Sequence, residues 1–520
     1  MVEKKEKNRA LKSIVRGAGI LFINAFLFFI LRFLFRIVAS RYLGPEGYGF
    51  LSIGEALINV AVLVSMLGLN QALSRFIPGY IKENKISDIK GTIISTLCIS
   101  IGVSILLTVL LLFSSEYVAN NFFKNVELSK LIFIFSLAIP FHVGVMILSK
   151  IYIAFKRPEF GLYTSTVFRT GTLLIITLLI VILGGTIVQI SFSYLISAAV
   201  AFVIGFFFLD YFVFSIIRNV VKPTYQVNKL VRYAFPLFLT GVFVSIMGYA
   251  DTFILGFFRS EAEVGVYNIA LPMATSFGIF LTSFSHIFFP VASELVTLKK
   301  VTEIKRIYSI IARWIFLLSL PFAILFVFFS GSIIFYLFGE DYLSGTFALS
   351  ILVLGYFVNI ITGPAVDVLK VFDKLKFIFY FNLVIVISNI ILNIFLIPKY
   401  GLNGAAVATA ITLAAREIIL FIKAKKCINF TYQLKYYFKY LLAAIISIVG
   451  TYFVYTKFLN IFSVVHSLLM LSLFFFIYFA LIIIFRAISS DEIMLIFALE
   501  KKFQVDLSSV RKFLDKFKSS

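Results

Sequence analysis

Long apolar runs alternate with short polar junctions from about residue 15 to residue 486. A helix needs about 20 residues to cross the ~30 Å hydrocarbon core of a bilayer. On that measure the runs divide into fourteen spans, near 15–40, 49–75, 90–113, 130–154, 160–184, 188–214, 229–257, 263–293, 305–329, 345–369, 376–397, 402–423, 437–457 and 463–486. The pattern predicts an all-α integral membrane protein. Its first run follows the basic stretch MVEKKEKNRALKSIVR and is about 26 residues long. A cleaved signal peptide has an apolar core of only ~7–15 residues, so this run is read as an uncleaved first span. No junction is long enough to form a domain of its own, and the longest outer ones, 114–129 and 330–344, hold about fifteen residues.

Composition agrees with this reading. The 520 residues are 61% hydrophobic, with a mean hydropathy of +1.04 and 64 Phe, against roughly 45–50% apolar in soluble domains. The net charge of +22 would suit a nucleic-acid partner, but its distribution points to a membrane instead. Of the 47 Lys and Arg, 37 lie at the termini and even-numbered junctions, 6 at odd-numbered junctions and 4 within spans. A miscounted span would scramble that alternation. By the positive-inside rule both termini are expected in the cytoplasm and no nucleic-acid partner is expected.

The spans are expected to group into an N-terminal lobe (15–214, spans 1–6), a linker (215–228), a C-terminal lobe (229–423, spans 7–12) and a final pair (437–486). A short basic segment (1–14) precedes them. After Arg486, apolar positions such as Ile493, Ile496, Phe503, Leu507 and Val510 recur every three or four residues among lysines and arginines. This predicts an amphipathic tail over 487–520 on the cytoplasmic leaflet. Glu46-Gly-Tyr-Gly-Phe-Leu51 and Ala262-Glu-Val-Gly-Val-Tyr267 align at an offset of 216, which sets Gly49 on Gly265. Each follows the first span of its half. Six spans preserve orientation, so the halves would be parallel repeats, an arrangement that puts a substrate site between two lobes near the midplane.

Charges inside the spans are the candidate chemistry, because an arginine at a helix centre costs about 2.5–3.5 kcal/mol to insert. Arg32 and Arg36 lie one turn apart on one helix face, with Glu55 of the second span at similar depth. Glu55 can neutralise one of them while Arg36 reaches outward; alternatively, the charge left over faces a cavity, where a guanidinium binds phosphate oxygens bidentately. Arg169, in TVFRTGT of the fifth span, has no acidic residue within a turn and is the sharpest candidate. Asp251 of the seventh span is a partner for Arg169 or a coupling group for a proton or sodium ion. Adjacent Arg416 and Glu417 point about 100° apart, which leaves both substrate contact and pairing with other helices open. Asp210 and Asp367, near cytoplasmic span ends, are expected to be solvated, and His142 and His286 to be hydrogen-bonded interior histidines. Pro140, Pro236, Pro272, Pro321 and Pro364 interrupt spans and bend them, either to serve moving lobes or as static curvature.

Other chemistries lack their residues. Two cysteines, Cys98 and Cys427, make no disulfide framework. Three histidines on separate segments make no metal site, and no cofactor is expected. There is no G-x-x-x-x-G-K-[ST] phosphate loop, no large acidic outer loop and no Ser/His/Asp set, so the chain is not expected to be an enzyme.

RYLGPEGYG after the first span, YADTFILGFF with EAEVGVYNIA in the second half, and NIFLIPKYGLNGAAVATA near the end resemble the polysaccharide-export branch of the multidrug/oligosaccharidyl-lipid/polysaccharide exporter superfamily. The resemblance covers about residues 10–486. It implies two six-helix lobes plus a final pair in the cell membrane. It also implies flipping of a lipid-linked oligosaccharide from the inner to the outer leaflet by alternating access, with membrane lipids and glycan-assembly enzymes as further partners. In this family cationic side chains occupy the central cavity, and here Arg32, Arg36 and Arg169 would be the occupants, with Arg416 as a further candidate. Two other readings stand beside it: a cation-coupled multidrug exporter of the same fold, which would place carboxylates at the site, and a membrane scaffold for glycan assembly that transports nothing.

Overall fold

The structure, a computed structural model, describes residues 2–218, 220–430, 433–458 and 464–487. The tail expected over 487–520 lies, beyond its first residue, outside the described residues. Helix is the sole regular secondary structure among them. Ten helical stretches are long and apolar enough to cross a membrane, or eleven with the bent pair Val227–Phe243 and Gly248–Phe258 taken as one. Two of them, Ile23–Met66 and Leu375–Ile428, each hold two spans joined at a glycine. With the apolar helix Leu469–Ile484, the described residues account for fourteen spans.

At the junction that the sequence leaves between the first two spans, residues 41–48, the chain stays helical except at Gly44 (φ 68°, ψ 179°). Only glycine enters such a conformation without steric cost, and Pro45 restarts the helix because its fixed φ and missing N–H suit a first position. The second break, at Gly401 (φ 56°), is held from outside. The Leu402 amide donates to Glu263 Oε2 at 2.8 Å, and a Cβ on Gly401 would lie 2.0 Å from that oxygen. Shorter interruptions divide the second span at Leu67–Gly68, both with positive φ, and the eighth between Thr275 and Gly278.

The fifth span departs from regular geometry over ten residues, Leu162–Gly171, which wind as a π-helix. The local sequence LYTSTVFRTG explains why. Hydroxyls on successive turns compete for backbone carbonyls: Ser165 donates to Gly161 O at 2.7 Å and Thr170 to Ser165 O at 3.2 Å. Wide turns of this kind occur often at functional sites.

The internal repeat has a physical counterpart. A Cβ on Gly49 would sit 1.9 Å from the carbonyl oxygen of Glu261, and one on Gly265 would sit 2.0 Å from that of Pro45. Pro45 and Glu261 are themselves related by the offset of 216. Equivalent residues thus touch reciprocally, as they do across a two-fold axis. Glycine at both positions lets the two backbones meet.

The chain forms two compact units, each discontinuous in sequence. One contains Met1–Ile269, Ile334–Gly345 and Val386–Ala405, and the other Ala270–Ile333, Thr346–Ile385 and Ala406–Ser520. In the first, the Gly44 break is secured when Arg41 donates to the carbonyls of Tyr336 and Leu337 and Tyr342 donates to Ser40 O. In the second, aromatic rings form the core, with Tyr308 and Phe430 centroids 4.2 Å apart. There the final pair is tied at one end by Lys439, bonded to Phe485 O and Arg486 O, and by Tyr440, bonded to Ala487 O. Large exposed apolar side chains such as Phe113, Ile182 and Phe476 are what a lipid-facing surface requires.

Candidate functional site

In the first unit, membrane-embedded arginines gather from spans far apart in sequence. Arg32 is 8% exposed and forms an ion pair from Nη2 to Glu55 Oε1. Its guanidinium lies 5.2 Å from the Phe35 ring centroid and 5.9 Å from that of Tyr194. The other Glu55 oxygen accepts the Tyr194 hydroxyl at 3.4 Å. Arg32 is therefore neutralised and held on both sides. Arg36, one turn on and half-buried, has no carboxylate partner among the described residues. Of the two, it is the buried Arg32 that takes the carboxylate.

Arg169 sits near the end of the π-helix and is half-buried. It makes no ion pair and no hydrogen bond among the described residues. Its span packs against the first, where Thr166 donates to Asn24 Oδ1 at 2.5 Å and Gly171 lies beside Leu31. Of the three guanidiniums, Arg32 alone is paired with an acid among the described residues. Unpaired charge in such surroundings is expensive, and the shape of a guanidinium favours an oxyanion with two oxygens to offer.

Asp251, although in the same unit, is engaged elsewhere. It is 2% exposed and accepts from Tyr267 at 2.5 Å and from Asn393 Nδ2 at 2.6 Å, so the pairing with Arg169 that the sequence left open does not form. Arg416 belongs to the second unit. Its Nε donates to Asn382 Oδ1 at 2.9 Å and its Nη1 pairs with Glu417. Adjacent side chains start apart on a helix, but the long arginine folds back onto its neighbour. Asp210 and Asp367 are bonded rather than solvated. Asp210 accepts from the Ile216 and Ile217 amides at 2.6 and 2.7 Å, closing the end of its helix, and Asp367 pairs with Lys370 at 2.9 Å. His142 also departs from expectation, since its Nε2 is buried without a hydrogen-bond partner. The phenols escape a reading of the sequence, because nothing local marks one tyrosine among 25 as facing an arginine.

Comparison with known proteins adds independent findings. The sequence profile described as polysaccharide biosynthesis protein matches residues 14–296, and that described as MatE matches residues 236–395. An uncharacterized membrane protein of Methanocaldococcus jannaschii is 26% identical over 76% of this chain and 80% of its own length. A putative O-antigen transporter of Shigella flexneri is 25% identical over 73% of this chain and 90% of its own. Among solved structures, the lipid II flippase MurJ in an inward closed conformation superposes with a TM-score of 0.68 and 21% identity, over 91% of this chain and 98% of that one. At that identity the likeness is one of fold.

Proposed function

The chain belongs to the polysaccharide biosynthesis protein family, and from that premise we propose that it flips a glycan linked to a polyprenyl phosphate or pyrophosphate from the inner to the outer leaflet. The observation that carries the reading is Arg169, a guanidinium within a membrane span that has no ion pair or hydrogen bond among the described residues. An anionic lipid head is the counter-ion that this site lacks and that this class of cargo brings. In the proposed cycle Arg169 and Arg36 hold the phosphate, and Arg32, already paired with Glu55, sets the field around them. The lobes 15–214 and 229–423 rock about the bound head, opening to one leaflet at a time. Coupling to a proton or sodium ion falls to Asp251, held by Tyr267 and Asn393. The relative named as a putative O-antigen transporter supports a glycan as cargo. The protein would work in the cell membrane with both termini in the cytoplasm, beside the enzymes that build and polymerise the glycan, and would catalyse no covalent step itself.

The test is export of the surface glycan in cells carrying Arg169→Ala or Arg32→Ala. Arg169→Ala is expected to abolish most export while the protein still reaches the membrane. Normal export in both variants would remove the arginine site from the mechanism.

A further inference from the structure

The π-helix that carries Arg169 is held from outside as well as from within. Wide turns of this kind are rare and mostly single, yet here they run over ten residues, Leu162–Gly171. Inside a helix a Ser or Thr hydroxyl ordinarily bonds a carbonyl of its own helix, as Ser165 does with Gly161 O at 2.7 Å and Thr170 with Ser165 O at 3.2 Å. Thr166 differs. It is 1% exposed, and its hydroxyl crosses to the first span, donating to Asn24 Oδ1 at 2.5 Å. At the end of the same stretch, a Cβ on Gly171 would lie 4.0 Å from Cδ1 of Leu31, the neighbour of Arg32 in the sequence. The stretch is thus laid along the first span from Asn24 to Leu31. Arg169 falls between the two contacts, three residues after Thr166 and two before Gly171.

A hydrogen bond between spans contributes only modestly to the stability of a membrane protein, so the leverage of this one is on direction. A π-turn closes on the fifth residue where an α-turn closes on the fourth, and one residue of helical register is a rotation of about 100°. With Asn24 gone, the Thr166 hydroxyl is left to the carbonyl of Leu162, four residues back, as in an ordinary helix. Each wide turn that then tightens swings Arg169 by about 100°. We propose that Asn24 and Thr166 are positioning residues for Arg169: their bond holds the wide turns against the first span and so fixes the direction from which the guanidinium meets the anionic lipid head. Neither side chain touches the cargo in this role. The role rests on the flippase reading above and deepens it. A guanidinium that presents two N–H groups in one plane is sensitive to direction in a way that a point charge is not.

The test uses the purified full-length chain in lipid nanodiscs, titrated with decaprenyl pyrophosphate. Thr166→Val keeps the branched shape and removes the donor, Asn24→Leu removes the acceptor from the other span, and Thr166→Ser keeps the hydroxyl. Thr166→Val and Asn24→Leu are each expected to bind about ten-fold more weakly, the loss of one hydrogen bond to a charged group. The double variant should bind no more weakly than either, and Thr166→Ser should bind as the parent does. In an Arg169→Ala background, Thr166→Val should change nothing further, since its effect passes through the guanidinium. Parent-like binding by Thr166→Val or by Asn24→Leu overturns the proposal. So does a loss that serine fails to recover, which marks packing, or a further fall in the Arg169→Ala background, which marks a route around the arginine. Arg169→Ala alone separates the two readings. Weak binding there with parent-like binding in Thr166→Val leaves the arginine site standing and removes only the positioning pair, whereas normal binding in Arg169→Ala removes the site itself.

Discussion

At the scale of single residues, the arginines that stand out in the sequence differ in what holds them. Arg32 is buried against Glu55, Phe35 and Tyr194, so removing its acid leaves a buried charge uncompensated. Breaking such a pair from one side costs ~3–5 kcal/mol, and Glu55 keeps enough exposure (28%) to put the expected loss near the lower end. Arg169 has no such partner to strand. Glu55→Gln is therefore expected to destabilise the protein by about 3 kcal/mol while leaving binding of decaprenyl pyrophosphate intact or tighter. Arg169→Ala should do the reverse, lowering affinity while stability is kept or raised, because an unpaired charge leaves the membrane. Thermal unfolding of the two variants in nanodiscs, paired with the titration, checks the crossing. A variant pair that loses stability and affinity together would show that the arginines form one structural unit. The sequence marks Arg169 by what is missing around it, an acid within one turn. It says nothing of Tyr194 or Tyr249, because they come from other spans, 25 and 80 residues away, and each alone reads as an ordinary core residue.

At the scale of elements, helix positions were readable because hydrocarbon thickness fixes their length. How they break was readable only where glycine and proline announce it. Gly44-Pro45 does so, and the expected junction there contracts to a single residue because Pro45 starts the next helix at once. The π-helix over Leu162–Gly171 is hidden, since a Ser/Thr-rich stretch inside an apolar span reads equally well as an ordinary helix. The six-residue repeat carries more than its length suggests, since Gly49 and Gly265 turn out to be a contact as well as an alignment. That contact is backbone on backbone, so nothing flexible can move aside for a larger side chain. Overpacking a core costs about 1–3 kcal/mol when side chains can shift. Gly49→Val or Gly265→Val should cost at least the top of that range, because whole helices must separate. The reciprocal geometry also predicts non-additivity: once one valine has parted the helices, the second adds less than the first. Unfolding temperatures of the single and double variants measure this, and full additivity would mean that the two glycines are not one contact.

At the scale of the whole molecule, the account of intramembrane charge separates the two exporters that share this fold. An exporter of cationic drugs needs a carboxylate free to meet its cargo. Glu55 is paired with Arg32, Asp251 is held by Tyr267 and Asn393, and Glu417 pairs with Arg416. Arg169, by contrast, carries its charge without an ion pair or hydrogen bond among the described residues. Each of these three acids thus has a partner, although Glu417 Oε2 meets none among the described residues, while positive charge is left over at Arg169, which suits an anionic head and opposes a cationic one. The same asymmetry was visible in the sequence as four arginines within spans, although not which of them would find partners, since pairing is decided by how the helices pack. Cells lacking this chain are therefore expected to lose surface glycan and accumulate its lipid-linked precursor on the inner leaflet, with unchanged sensitivity to lipophilic cations such as ethidium. Labelling of the precursor in intact and permeabilised cells reads the first outcome, and growth in graded ethidium the second. Raised drug sensitivity with normal glycan would transfer the protein to the drug-exporting branch and require one of the three carboxylates to release its partner during transport. Glycan loss with a precursor already exposed on the outer leaflet would instead place the chain after the flip, as a scaffold for assembly.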